Sequence, residues 1–163
     1  MKRSIRIASV VLLSMIGCSD QGSDILYFSS FESKNDLSPW DGVNEQMLSR
    51  SAAPNGGYRS LRVGGGCLQP IATLPLQVDA DGFYRLTCWA RMIENNDAGI
   101  VVRKTHDFEP VAQIQISGGD WKSYASRDTF FAGAGDSLTL EIFCGGIILS
   151  EAEIDLLTIE KVD

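Results

Sequence analysis

The chain has one histidine, His106, and no Gly-x-Ser-x-Gly or His-Glu-x-x-His motif. That removes the common histidine-based hydrolase and zinc-protease arrangements, and His106 reads as a solvated loop residue. Cysteine is sparse, and no spacing of Cys18, Cys67, Cys88 and Cys144 matches a zinc site. No stretch shows convincing helical periodicity, and no internal repeat is visible. Base is in deficit: 14 Lys and Arg face 21 Asp and Glu, a formal charge of −7. Without a basic stripe, nucleic acid is not an expected partner.

What is present is short-strand patterning. Sixteen glycines and frequent β-branched and aromatic residues, spread over 163 positions, describe one all-β domain with many turns. Phe83–Arg91 alternates most cleanly. Tyr84, Leu86, Cys88 and Ala90 share one face; Arg85, Thr87, Trp89 and Arg91 share the other. Residues with period two line opposite faces of a strand, so the first set suits a core. On the second face a tryptophan stands between two arginines. It is either a platform for a flat polar ligand or a residue covered by a second sheet or loop.

The chain opens with a targeting pattern. Lys2, Arg3 and Arg6 precede an apolar run from Ile7 to Ile16 that is too short to span a bilayer as a helix. Ser14-Met15-Ile16-Gly17-Cys18 then resembles a bacterial lipobox, with Met15 where leucine is usual. The resemblance implies a signal peptide over 1–17 and a lipidated Cys18 as the mature N-terminus. It further implies a membrane contact through the lipid anchor only and, since Ser19 is not aspartate, an outer-membrane destination in the cell envelope. Residues 18–24 are polar and glycine-containing, a flexible tether. Without the three leader bases the balance is 11 bases against 21 acids, or −10. Cys67, Cys88 and Cys144 remain, enough for one disulfide at most; Cys88 and Cys144 equally suit small buried hydrophobes.

From residue 25 onward, strands are expected at 25–31, 44–51, 60–63, 67–74, 83–91, 99–104, 111–116, 121–131, 137–144 and 152–162, with polar or glycine turns between them. Pro70 marks 67–74 as an edge strand. Gln113 and Gln115 point outward from 111–116; if that strand joins the sheet of Trp89, the two amides extend its polar rim. Nine or ten short strands make a β-sandwich or jelly roll. Glu151, Glu153 and Asp155 share one strand face, where their repulsion calls for solvent or a cation rather than acid–base chemistry.

Five landmarks occur in order: Phe31-Glu32 followed by Trp40; Gly56-Gly57 before Ser60-Leu61-Arg62-Val63; Tyr84 to Arg91; Gly119-Asp120-Trp121-Lys122-Ser123-Tyr124; and Ile154 to Ile159. Across residues 25–163 this set resembles a carbohydrate-binding module of the family 4/9 type, a galactose-binding-like jelly roll of two antiparallel sheets. The resemblance implies a non-catalytic partner of a poly- or oligosaccharide, with Trp121 as a packing residue. Trp89, Arg85, Arg91, Gln113 and Gln115 have the chemistry to stack on sugar rings and bind their hydroxyls. The resemblance also implies a structural Ca²⁺ held by Glu32, a carbonyl near Gly57, and Asp155, although Leu156 stands where a second acid is usual. The other reading is a structural or protein-interaction jelly roll without a sugar site.

Overall fold

The computed structural model describes residues 24–65, 69–94, 97–105, 107, 109–146 and 149–162. Cys18, Cys67 and His106 fall outside the described residues.

Among the described residues eleven strands form two antiparallel sheets. The larger holds β1 (Ile25–Ser29), β2 (Leu48–Ser49), β3 (Ser60–Gly65), β5 (Gly82–Glu94), β8 (Lys122–Ala125), β9 (Phe130–Ala132) and β11 (Ser150–Val162). Its main order is β2-β3-β11-β5-β8, with β1 paired to β11 and β9 to β5. The smaller holds β4 (Ala72–Gln77), β6 (Ala98–Lys104), β7 (Pro110–Ile116) and β10 (Ser137–Cys144) in the order β4-β10-β6-β7. Period-two alternation puts one apolar set from each sheet into a shared core. Leu61, Val63, Leu86, Cys88, Ile154 and Ile159 from the larger sheet are buried with Ile100, Val102, Ile114, Ile116, Leu138, Leu140 and Ile142 from the smaller. Cys88 and Cys144 are free thiols in that core. Burial pushes Cys88 up to about 12 and Cys144 up to about 11, so neither is poised as a thiolate.

The strand carrying Trp89 and the strand carrying Gln113 and Gln115 belong to different sheets. Alternation fixes which residues share a face of a strand, but not which sheet the strand joins. The expected single patch of Trp89, Arg85, Arg91, Gln113 and Gln115 is therefore divided between the two outer faces.

Several connections also depart from the expected strands. Ser33 caps a one-turn helix, α1 (Lys34–Leu37), by accepting from the backbone N–H of Asn35, and Asp36 accepts in return from the N–H of Ser33. Within 44–51 only Leu48–Ser49 is strand (β2), preceded by a single 3₁₀ turn, Glu45–Met47. The stretch 121–131 splits into β8 and β9. The edge position foreseen for the strand after Pro70 is occupied by β4. In β11 the register shifts between Asp155 and Thr158, and Leu156 has φ 47°. This bulge changes the parity, so Ala152 and Ile154 point inward before it and Leu157 and Ile159 after it.

Candidate functional site

A groove crosses the outer face of the four-stranded sheet. Register places Phe143 (β10), Gly99 (β6) and Gln115 (β7) in one row, and Glu141, Val101 and Gln113 in the next. Gly99 deepens the floor, because a Cβ there would sit 3.0 Å from the Ile114 carbonyl and 3.7 Å from Gln115 Oε1. Phe143, Val101, Gln113 and Gln115 line the groove, and Arg127 and Asp97 complete it from neighbouring loops. Its volume is about 300 Å³. Arg103 Nε donates to Glu141 Oε2 at 2.8 Å beside it. The groove thus offers one apolar ring, two primary amides, a guanidinium and a carboxylate, which together can face a sugar ring and its hydroxyl rim.

Phe143 and Arg127 were not among the candidates drawn from the sequence. Arg127 is exposed on the β8–β9 connection, and nothing in its local sequence reveals where that loop lies. Phe143 was legible: it shares parity with Thr139 and Glu141, opposite the apolar set Leu138, Leu140 and Ile142.

Trp89 lies on the outer face of the larger sheet, partly covered, with Asp155 of β11 and Ser123 of β8 as register partners. Arg85 is exposed on the same strand face. Arg91 is already engaged. Its Nε donates to Glu153 Oε2 at 2.9 Å, Nη2 donates to Ser51 Oγ at 3.0 Å, and its guanidinium lies 5.2 Å from the centre of the Trp121 ring. Glu153, only 2 % exposed, also accepts from Ser49 Oγ at 2.6 Å. This network fastens the 49–51 segment over the sheet. Trp121 is a half-buried lid on Arg91 rather than a core residue, contrary to its expected packing role. Trp121→Ala is accordingly expected to cost about 1 kcal/mol, the scale of a partly desolvated cation–π contact. A loss above about 3 kcal/mol in urea denaturation would restore the core assignment.

The three residues expected to hold calcium do converge. Glu32 Oε1 accepts from the backbone N–H groups of Tyr58 (2.8 Å) and Arg59 (3.0 Å). Asp155, 0 % exposed, accepts from the N–H of Ala53 through Oδ2 (2.9 Å) and from that of Leu156 through Oδ1 (2.7 Å). A Cβ on Gly56 would collide with Asp155 Oδ2, and one on Gly57 with Glu32 Oε1. Burial raises the Asp155 carboxyl to about 6, against the two backbone hydrogen bonds, and the charge of Glu32 adds to the rise. Three non-glycine residues with positive φ flank the site: Phe31 (53°) before Glu32, Asn55 (66°) before the glycine pair, and Leu156 (47°) after Asp155. Left-handed backbone at Phe and Leu is costly and clusters where function requires it. Two approaching carboxylates, one fully buried, in a cradle that excludes side chains at Gly56 and Gly57 fit a hard, oxygen-seeking cation. Among the described residues no third acidic, cysteine or histidine side chain joins them, so backbone carbonyls such as that of Gly57 would have to complete the shell.

A second cavity, about 720 Å³, lies between the 42–47 segment and the ends of β3 and β11. Arg62 on its wall is paired with Glu151 at 2.5 Å, and none of its described lining residues is aromatic.

The chain matches no protein-family model and no curated protein by sequence. It does superpose on solved structures. The CBM22-1 xylan-binding domain of Paenibacillus barcinonensis Xyn10C matches with a TM-score of 0.61 at 16% identity, over 86% of this chain and 96% of that one. The fold is a jelly-roll β-sandwich, the fold that this xylan-binding domain also has. A fragment of Clostridium thermocellum endo-1,4-β-D-xylanase 10B, CBM22-1 joined to GH10 and complexed with xylohexaose, matches with a TM-score of 0.59 at 13% identity. It is matched over 85% of this chain, which spans 29% of that longer one. The module CBM6cm-2 of Cellvibrio mixtus lichenase 5A, in complex with cellotriose, matches with a TM-score of 0.51 at 15% identity, over 85% and 99% of the two chains. At these identities the likeness is one of fold.

Proposed function

We propose that the domain is a non-catalytic glycan-binding module that holds a poly- or oligosaccharide in the groove on the outer face of the four-stranded sheet. The observation that carries this reading is the row Phe143–Gly99–Gln115, which sets a ring and an amide on either side of a side-chain-free floor. Saccharide complexes of modules with this fold support it. In this reading Cys18 carries the lipid that anchors the module to the bacterial envelope, at the outer membrane, and Glu32, Gly57 and Asp155 hold a structural Ca²⁺. Trp89 and Arg85 offer a rival surface on the other sheet.

A glycan array followed by calorimetry on the best ligand tests the assignment. One stacked aromatic dominates small interfaces of this kind, so Phe143→Ala is expected to weaken binding by about tenfold or more, and Gln115→Ala by less. Trp89→Ala should leave affinity within about twofold of the parent if the groove is the site. The reverse pattern, loss in Trp89→Ala with Phe143→Ala unaffected, moves the site to the larger sheet. Absence of any ligand would leave a structural or protein-interaction domain.

A further inference from the structure

The outer face of the larger sheet carries an apolar patch that the glycan reading does not use. Val162, Phe83 and Phe131 stand in one row across β11, β5 and β9, and Ile25, Glu160 and Arg85 in the next across β1, β11 and β5. Phe28 follows on β1 opposite Thr158. Phe83 and Phe131 are 55% and 52% exposed, and their rings meet edge to face with centroids 5.6 Å apart. Phe28 is 53% exposed and Ile25 49%. Strand spacing and rise place all of these within about 20 Å of one another. Clustered exposure of this kind marks an interaction surface, whereas single exposed apolar residues do not.

We infer that this patch docks onto the lipid surface that holds the Cys18 anchor. The inference rests on the lipoprotein reading, and the length of the tether selects the occupant. Six residues, 19–24, separate Cys18 from Ile25. Even fully extended, they keep Ile25 within about 25 Å of the lipidated cysteine. Ile25 both opens the first strand and belongs to the patch, so the shortest path from the bilayer into the domain arrives at this face. Exposed phenylalanines can enter the boundary between headgroups and acyl chains, and Arg85 among them can reach a lipid phosphate with its guanidinium. The chain is acidic overall, so shallow apolar insertion rather than net charge drives the contact. Docking by this face leaves the outer face of the four-stranded sheet, with its groove, pointing away from the membrane.

The test uses the full lipidated chain in phosphatidylcholine vesicles, with and without bromine on the acyl carbons nearest the headgroup. Phe131→Trp places a reporter in the patch, and Pro75→Trp places one on the exposed outer face of β4 in the opposite sheet. After subtraction of the parent fluorescence, bromolipid is expected to lower the Phe131→Trp signal about twofold and leave the Pro75→Trp signal unchanged. Equal quenching at both positions, or none at Phe131→Trp in chains that float with the vesicles, overturns the docking. Concentration-dependent dimerisation without quenching assigns the patch to a second copy and also overturns it. If the chain fails to float, as Cys18→Ser should, the anchor itself is wrong and the docking falls with it. Thermal melts of both tryptophan variants that match the parent establish that the fold is intact.

Discussion

Trp40→Ala is expected to destabilise the domain by about 4 kcal/mol, the range for removing a large buried aromatic. Trp40 follows α1, is 6 % exposed, and closes one end of the core. Its ring meets Tyr27 edge to face at 6.0 Å and Phe31 at 6.4 Å. Its Nε1–H donates to Tyr27 Oη at 2.8 Å. Truncation would therefore remove ring packing, open a cavity, and strip a partner from a hydroxyl whose proton is already held more tightly because of burial. The backbone is also fixed here: Asp41 exchanges two hydrogen bonds with Thr73 (2.8 and 3.0 Å), so the segment cannot collapse freely into the space. Trp40→Phe keeps a ring and loses the hydrogen bond, and should cost about 1–2 kcal/mol. Urea denaturation with an unchanged m-value checks both variants. A loss below about 1 kcal/mol for Trp40→Ala would mean that α1 and its loop do not contribute to the cooperative core.

Alternation alone identified the inward faces of β5 and β7, because apolar parity is a property of each strand and its core. It could not place Gln113 and Gln115 relative to Trp89, since sheet membership is decided by long-range pairing. It left Glu153 and Asp155 open to solvent or a cation, and their burial removes the solvent half of that reading. Their burial depends on a segment about a hundred residues earlier, where Ser49 Oγ donates to Glu153, the Ala53 N–H donates to Asp155, and Ser51 Oγ accepts from Arg91. Nor does strand parity anticipate the bulge at Leu156, which brings Leu157 and Ile159 to the inward face after Ile154. The ordered landmarks, by contrast, brought Glu32, Gly57 and Asp155 to one place because they mark the points where the first strand, the glycine turn and the last strand meet.

Chelation is expected to make the domain less stable as pH rises, and calcium to remove that loss. Asp155 has its folded pKa raised from 3.8 to about 6. The folded state therefore holds a proton more tightly than the unfolded state between about pH 4 and pH 6. Stability falls wherever the native state binds the extra proton, so the contribution of this group is most favourable below about pH 4 and is lost as pH climbs through 6. A shift of this size corresponds to about 3 kcal/mol at neutral pH. A divalent cation between Asp155 and Glu32 would stabilise the ionised carboxylates and reverse the term, adding stability by mass action at neutral pH. In chelator, the Tm difference between the parent and Asp155→Asn should narrow or invert as pH rises from 4 to 7; in millimolar Ca²⁺ it should widen. The comparison is of slopes, because an amide can accept from only one of the Ala53 and Leu156 N–H groups and so lowers the absolute Tm at every pH. Glu32→Gln should likewise abolish the calcium response while sparing part of the pH slope, which arises first from burial of Asp155 itself. Parallel profiles with and without Ca²⁺ would leave Asp155 a buried carboxyl held by two backbone donors and no cation.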